Sequence, residues 1–312
     1  MKRFILASAL VMGAMAGPSL AGVSPILAPQ ELEQLRTAEQ VRVIDIRPPA
    51  EYAKNHIPGA VSAPYAAWRG PAHSPGQLPP LTELTKLVQK LGLGENTHAV
   101  VVSTGDTTTD FGAAARVYWT LKYLGLKQLS VLNGGMQSWV GSGLPQSQSP
   151  VEVPVSNYQP ALNENILATR NDVLEQIDNP RARLVDARPK AFFEGKTKAP
   201  TASTPGTIRG AANIEHSVWF KPGTNEVVSP EEARKIAAER FPELVDDTIA
   251  FCNTGHWAAT DWFALSELAG LPNVRMYPES LAEWTNTADA LPMENTPGRG
   301  TQLLEKLKNV LN

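Results

Sequence analysis

Cysteine is almost missing from this sequence: 312 residues contain one, Cys252. A single thiol cannot close an internal disulfide, so no such cross-link holds the fold, and Cys252 is either an inert buried thiol or a reactive one. Histidine is scarce too, with five residues and no clustered Cys/His set, so the spacing of a metal site is missing and no cofactor is expected. Positive charge is not in excess, with 28 Lys and Arg against 31 Asp and Glu. A formal net charge of -3 without a long basic run gives nucleic acid or an anionic membrane surface nothing to grip. Apolar runs of any length are confined to the N-terminus, and no later stretch suits a membrane span.

That terminus reads MKRFILASALVMGAMAGPSLAG, with Lys2 and Arg3 before an apolar run too short to cross a bilayer and closing on small residues. This is the pattern of a cleaved secretory signal over residues 1–21. Ser19-Leu20-Ala21 fits small-x-small cleavage, with Ala14-Met15-Ala16 as an upstream alternative. The expected product is exported to a periplasm, begins near Gly22 and, with no lipid-attachment cysteine following, stays free of the membrane. At 42% hydrophobic and 19% charged residues the chain has a globular composition and length enough for two cores.

An internal repeat names those cores. Val41-Arg-Val-Ile-Asp-Ile-Arg47 matches Arg183-Leu-Val-Asp-Ala-Arg188, each a β-type run ending in Asp-x-Arg. A Gly-Ala turn follows in both, His56-Ile-Pro-Gly-Ala-Val61 and Thr207-Ile-Arg-Gly-Ala-Ala212. Next come a strand and a glycine-bearing loop, Ala99-Val-Val-Val-Ser-Thr-Gly-Asp106 and Thr248-Ile-Ala-Phe-Cys-Asn-Thr-Gly255. Each copy then has an amphipathic helix, another strand and a turn into a tryptophan, Trp139 or Trp284. Strands of buried character alternating with helices predict an α/β fold: two tandem domains, each a central parallel sheet flanked by helices. Gly, Ser and Pro crowd the stretch 141–154, so the boundary falls there. The expected limits are 24–147 for the first domain, 148–160 for the linker, 161–295 for the second domain and 296–312 for a helical tail.

Asp-x-Arg, His-Ile-Pro-Gly-Ala, strand-loop-helix and Gly-Gly-Met-x-x-Trp, with the order repeated and the cysteine only in the second copy, closely resemble the tandem-domain rhodanese family over about Ser24 to Leu291. The resemblance implies two rhodanese-like domains, an inactive first and a catalytic second, and a thiosulfate or 3-mercaptopyruvate sulfurtransferase. Its partners would be a small anionic sulfur donor and a thiol or cyanide acceptor, with the chain acting as a monomer.

The residues around Cys252 suit such chemistry. The loop leaves the C-terminal end of a strand and opens a helix, where α/β folds place ligands and where amide N–H groups and the helix dipole favour an anionic sulfur. Small Asn253, Thr254 and Gly255 let the backbone curl around the sulfur. A sulfur so held can attack the outer sulfur of thiosulfate and keep it as a persulfide. A phosphatase would need an arginine six residues past the cysteine to fork a phosphate, and that position is Ala258. Two readings of His256 stand: a group at the mouth titrating near neutrality and guiding an anion, or a ring that merely packs beside the loop. Trp257 reads as packing or pocket wall.

The resemblance also directs attention to cations. The animal-type enzymes carry a basic residue four positions past the Asp-x-Arg arginine, here Phe192, and the thiosulfate-type loop has a lysine where this chain has Thr254. The donor's charge is therefore expected from Lys196, Lys198 or Arg209. Asp186 and Arg188 read as a structural ion pair, because Asp45 and Arg47 repeat them in the copy without a cysteine. His56 belongs to a turn by the same reasoning. Trp119, Trp139, Trp262 and Trp284 read as core. In the first copy Ser103 holds the cysteine's place without a base to activate it, and Asp106 would repel an anion, so that domain is expected to buttress the second and wall the cleft. The competing reading is a non-catalytic sulfur carrier or interaction module.

Overall fold

The computed structural model describes residues 23–179, 181–243 and 245–298. The predicted signal and all of the predicted tail past 298 lie outside the described residues. Strands β1 (Ile26–Leu27), β2 (Val41–Asp45), β3 (Val61–Ser62), β4 (His98–Val102) and β5 (Leu129–Leu132) form a parallel sheet in the order β1-β5-β4-β2-β3. The second half adds β6 (Ala182–Asp186), β7 (Thr207–Ile208), β8 (Ala212–Asn213), β9 (Asp247–Phe251), β10 (Val274–Met276) and β11 (Met293–Glu294). Four of these make a parallel sheet ordered β10-β9-β6-β8, while β7 and β11 pair antiparallel beside it. Leu167 bridges Met276 in parallel, taking against β10 the place β1 takes against β5. The repeat is a repeat of topology.

The central strands carry no polar face. His98-Ala-Val-Val-Val is buried at every position, so helices must cover both sides. Helix Thr108–Tyr123 follows β4, and helix Trp257–Trp262 follows β9 and runs on as a π-helical stretch, Phe263–Leu268. These two helices pack against each other across the domain contact. Phe111 and Tyr118 meet Phe263 edge to face at 5.3 and 5.0 Å, and Tyr118 lies 6.3 Å from Trp262. Glu267 accepts from the Tyr118 hydroxyl at 2.7 Å and from Lys122 at 2.6 Å. One apolar cluster therefore runs through both halves. Trp119, Trp139, Trp262 and Trp284 are all buried.

Between the domains, the chain from Ser142 to Asn163 forms neither helix nor strand, yet it is tied to the first domain. Ser147 exchanges backbone hydrogen bonds with His56, and the amides of Ser156 and Asn163 donate to Gln89 and Tyr123. His56 stacks on Tyr52 at 4.0 Å and its ring nitrogens meet the carbonyls of Tyr52 and Ser149.

Register sets up the site. Asp45 is paired with Val102 and Asp186 with Phe251, so both Asp-x-Arg units end beside the loops that leave β4 and β9. This is the carboxyl edge of the sheet, where open α/β folds bind ligands.

Candidate active site

Cys252 is the first residue past β9 and is only 1% exposed. Its amide donates to Ser280 Oγ at 3.0 Å, its carbonyl accepts from Leu281 N at 3.1 Å, and Asn253's carbonyl accepts from Ala282 N at 2.9 Å. The segment after β10 thus zips along the cysteine loop. The first copy has the same zip, from Met136 and Gln137 amides to Ser103 and Thr104 carbonyls. One side chain differs. Ser280 sits in the left-handed region at φ 55°, where the first copy has Gly135 at φ 58°. Its hydroxyl donates to Tyr277 O at 2.8 Å and so fixes the Cys252 backbone to the neighbouring strand end.

Gly255 turns the loop at φ 69°, and a Cβ there would lie 2.4 Å from both Arg116 Nη1 and Pro278 O. Only glycine fits. Among the described residues no acceptor answers the amide groups of Asn253, Thr254, Gly255 and His256. Those amides are left for an anion.

Asn253 is held from its own domain. Arg188 Nη1 approaches Asn253 Oδ1 at 3.4 Å, while its other nitrogens fork Asp186 at 2.6 to 3.1 Å and Gly206 O at 2.7 Å. Thr207 Oγ1 completes the carboxylate's shell at 2.7 Å. Arg47 and Asp45 repeat the fork, with Arg47 Nη2 also donating to Asn55 O as Arg188 Nη2 does to Gly206 O.

The rest of the loop is held from the first domain. Arg69 Nη2 donates to Thr254 O at 2.8 Å and Nη1 to the Tyr65 hydroxyl at 3.1 Å. Tyr65 Oη lies 3.0 Å from His256 Nδ1, and His256 Nε2 lies 2.8 Å from Thr109 O. A carbonyl only accepts, so His256 carries its proton on Nε2 and takes one hydrogen bond from Tyr65. Arg116 Nη1 reaches Gly255 O at 3.3 Å. Trp257 stacks on His216 at 4.9 Å, meets Phe192 at 5.9 Å and donates to Thr109 Oγ1 at 3.3 Å.

His256 requires a correction. Burial first, and the neighbouring Arg69 charge second, hold it down at about 4, so it is neutral at pH 7 and does not titrate near neutrality. With both ring nitrogens used, it is a strut between domains. Gly112 makes room for it, since a Cβ there would lie 2.9 Å from the ring.

The expected cations are also placed elsewhere. Lys196 pairs with Glu194 at 2.6 Å in solvent and Lys198 donates to Ala202 O at 2.6 Å, within their own loop. Arg209 pairs with Asp178 at the opposite end of the sheet. The reason is topological: Arg209 precedes β8, which runs parallel to β6, so it lies where those strands start and Cys252 lies where they end. Arg69 and Arg116 touch the loop instead. Arg116 left a trace in the sequence, as one charge within the apolar Phe111-Gly-Ala-Ala-Ala-Arg-Val-Tyr-Trp119. Nothing in the sequence says that Arg69 crosses to the other domain.

A cysteine at the carboxyl edge of the second sheet, mirrored by a serine in the first, decides the matter together with the comparisons. The family model described as "Rhodanese-like domain" matches twice, over residues 28–142 and 169–287. The chain belongs to the rhodanese family. This rhodanese is 33% identical over 242 residues to the thiosulfate sulfurtransferase of Rattus norvegicus, covering 76% of this chain and 80% of the relative. It is 30% identical over 246 residues to the 3-mercaptopyruvate sulfurtransferase of Escherichia coli K12, covering 78% and 85%. Among solved structures, SseA from Escherichia coli, a 3-mercaptopyruvate enzyme, matches with TM-score 0.71 and 25% identity over 83% of this rhodanese and 99% of that chain. An anaerobic ergothioneine biosynthesis enzyme from Chlorobium limicola shares the fold, with TM-score 0.75 at 20% identity over 86% and 70%.

Proposed function

We propose that this rhodanese is an exported sulfurtransferase that moves a sulfane sulfur from thiosulfate or 3-mercaptopyruvate to cyanide or a thiol through a persulfide on Cys252. The observation that carries the reading is one cysteine at the carboxyl edge of the sheet, its loop gripped by Arg69, Arg116 and Arg188 and lined by unanswered amides. The Cys252 thiolate attacks the outer sulfur of thiosulfate. A Cys–S bond forms, the donor's S–S bond breaks, and sulfite leaves with the electron pair; with 3-mercaptopyruvate the C–S bond breaks instead, and its carbon takes the pair as the enolate of pyruvate, which then gains a proton. The persulfide anion rests among the amides until an acceptor nucleophile takes its terminal sulfur, as thiocyanate when the acceptor is cyanide, and returns the thiolate.

The thiol's near-complete burial favours small donors and acceptors. Arg69, partly exposed at the loop, is the cation best placed to meet an incoming anion. Intact mass of the mature protein before and after each donor tests the reading, with Cys252→Ser as control. A gain of one sulfur on the wild type alone, reversed by cyanide, supports it; no gain with either donor, from a thiol that alkylates, overturns it. Export, with cleavage after Ala21 and a periplasmic destination, rests on the leader sequence. N-terminal sequencing of protein released by osmotic shock tests that, and an intact Met1 would refute it.

A further inference from the structure

Arg116 is the least explained group at the site. It is fully buried where the domains meet, with Nη2 donating to Gly76 O at 2.8 Å, Nη1 to Gly255 O at 3.3 Å, and its guanidinium 5.3 Å from the Trp119 ring. Nε has no partner, and among the described residues no carboxylate lies within ion-pair distance of it. Two carbonyl dipoles and a ring face offset only part of the hydration such a group loses, and an uncompensated buried charge costs several kcal/mol. Burial draws the guanidinium down to about 10, which still leaves it a cation at neutral pH.

A buried cation needs an anion, and the facing groups are few. Arg69 is a second cation, Tyr65 is a phenol that burial keeps protonated, and His256 is neutral. Glu279 faces it from the second domain and supplies part of the opposite charge, its carboxyl raised above the usual range by burial. The remaining group within Coulomb reach is Cys252. Arg116 is bonded to the Gly255 carbonyl in the same loop, so its charge is fixed relative to the sulfur.

We propose that Arg116, supplied by the domain without the cysteine, is the fixed counter-charge of the Cys252 sulfur anion, both the attacking thiolate and the waiting persulfide. The persulfide half of this rests on the sulfur-transfer reading; the thiolate half does not. Arg116 acts through the field it sets at the sulfur and through its hold on the loop, so it is a positioning residue.

Two measurements, neither using a sulfur donor, test it. The first is the rate at which Cys252 is alkylated by anionic iodoacetate relative to neutral iodoacetamide. That ratio should fall about tenfold in Arg116→Met, the scale of removing one opposite charge at close range, and Arg116→Lys should restore most of it. An unchanged ratio in a folded Arg116→Met protein overturns the proposal. The second uses only the wild type and keeps the proposal falsifiable if Arg116→Met does not fold. Carboxymethylated Cys252 carries an anion, whereas the similarly sized carbamidomethyl adduct is neutral. The anionic adduct should melt several degrees higher; equal melting, or a lower value for the anion, overturns the proposal. A wild type that passes both tests yet takes up no sulfur would sink the sulfur-transfer reading and leave this one standing.

Discussion

The loops Ser103–Asp106 and Cys252–Gly255 hang in the same frame, with their left-handed glycines one position apart, and have opposite surroundings. Both follow a buried central strand, both are zipped to the segment after the next strand, and both turn on a left-handed glycine, Gly105 or Gly255. The first is covered by a neutral amide: Asn225 donates to the carbonyls of Gly105 and Asp106 at 3.0 and 2.8 Å. The second is covered by Arg69 and Arg116. Each domain lays the segment after its short outer strand over the other domain's loop. What separates the cysteine loop from its counterpart is therefore only partly its own sequence; much of the difference is donated across the interface.

The largest effect that tests this contrast is the nucleophile itself. Cys252→Ser should lower turnover by at least about a thousandfold, the scale seen when a covalent nucleophile is removed. Moving the thiol to the first loop, as Ser103→Cys in that background, should not restore it. Asp106 and an Asn225 amide would surround the new sulfur instead of arginines. Turnover, or persulfide mass, from the transplanted cysteine would break the comparison.

Acid should weaken the cross-domain strut next. His256 ordinarily protonates near 6.5 but is held at about 4 in the fold. In that window the unfolded chain takes up a proton that the folded chain refuses, so stability falls as pH drops from about 6.5 to about 4. The limit of this loss is on the order of 3 kcal/mol. Urea midpoints of wild type and His256→Asn across pH 4 to 7 check this, with a flatter dependence expected for the variant. Parallel curves would mean that other groups carry the acid response.

Ser280 sharpens the comparison at its one substituted backbone position. Ser280→Ala leaves the buried Cys252 amide without its acceptor and should cost about 1–3 kcal/mol. Ser280→Gly makes the second loop like the first, and should cost less because glycine adopts the left-handed backbone freely. Thermal unfolding of both variants distinguishes the lost hydrogen bond from the backbone term, and a glycine variant less stable than the alanine one would refute the account. The smallest effect is expected at Gly112. Alanine gains up to about 1 kcal/mol in helix propensity, yet its Cβ presses on His256, so a net loss of about 1 kcal/mol is expected where free space would give a gain.

The fold was legible because its signals are local. Val41–Arg47 and Arg183–Arg188 announce themselves as strands ending in a buried ion pair, and Phe251-Cys252 as a strand running into a loop. Being duplicated, each piece also vouches for the other. The cysteine was legible by scarcity. Its neighbours were not, because Lys196, Lys198 and Arg209 lie near the motif in sequence but make their bonds to other groups, while Arg69 and Arg116 arrive from 185 and 139 positions away. Of the two readings of His256, the sequence could not choose the packing one, because burial, and the Tyr65 and Thr109 partners that saturate its ring, are properties of an interface that no local pattern encodes.

The apolar cluster that runs through both halves has a consequence for the history of the chain. Tyr118, Phe263 and Trp262 bury surface against one another across the contact, each ring contributing about 2–3 kcal/mol when covered. A protease cut at Val155, the most exposed large apolar residue of the connecting strap at 72%, would leave two pieces that still need each other. Separated, each would show water a greasy helix face, and the cysteine half would keep Arg188 but lose Arg69 and Arg116 from its loop. A doubled gene can ordinarily shed its idle copy. Here the first copy supplies Arg69 and Arg116 to the second copy's cysteine loop, so deleting it would strip that loop of both.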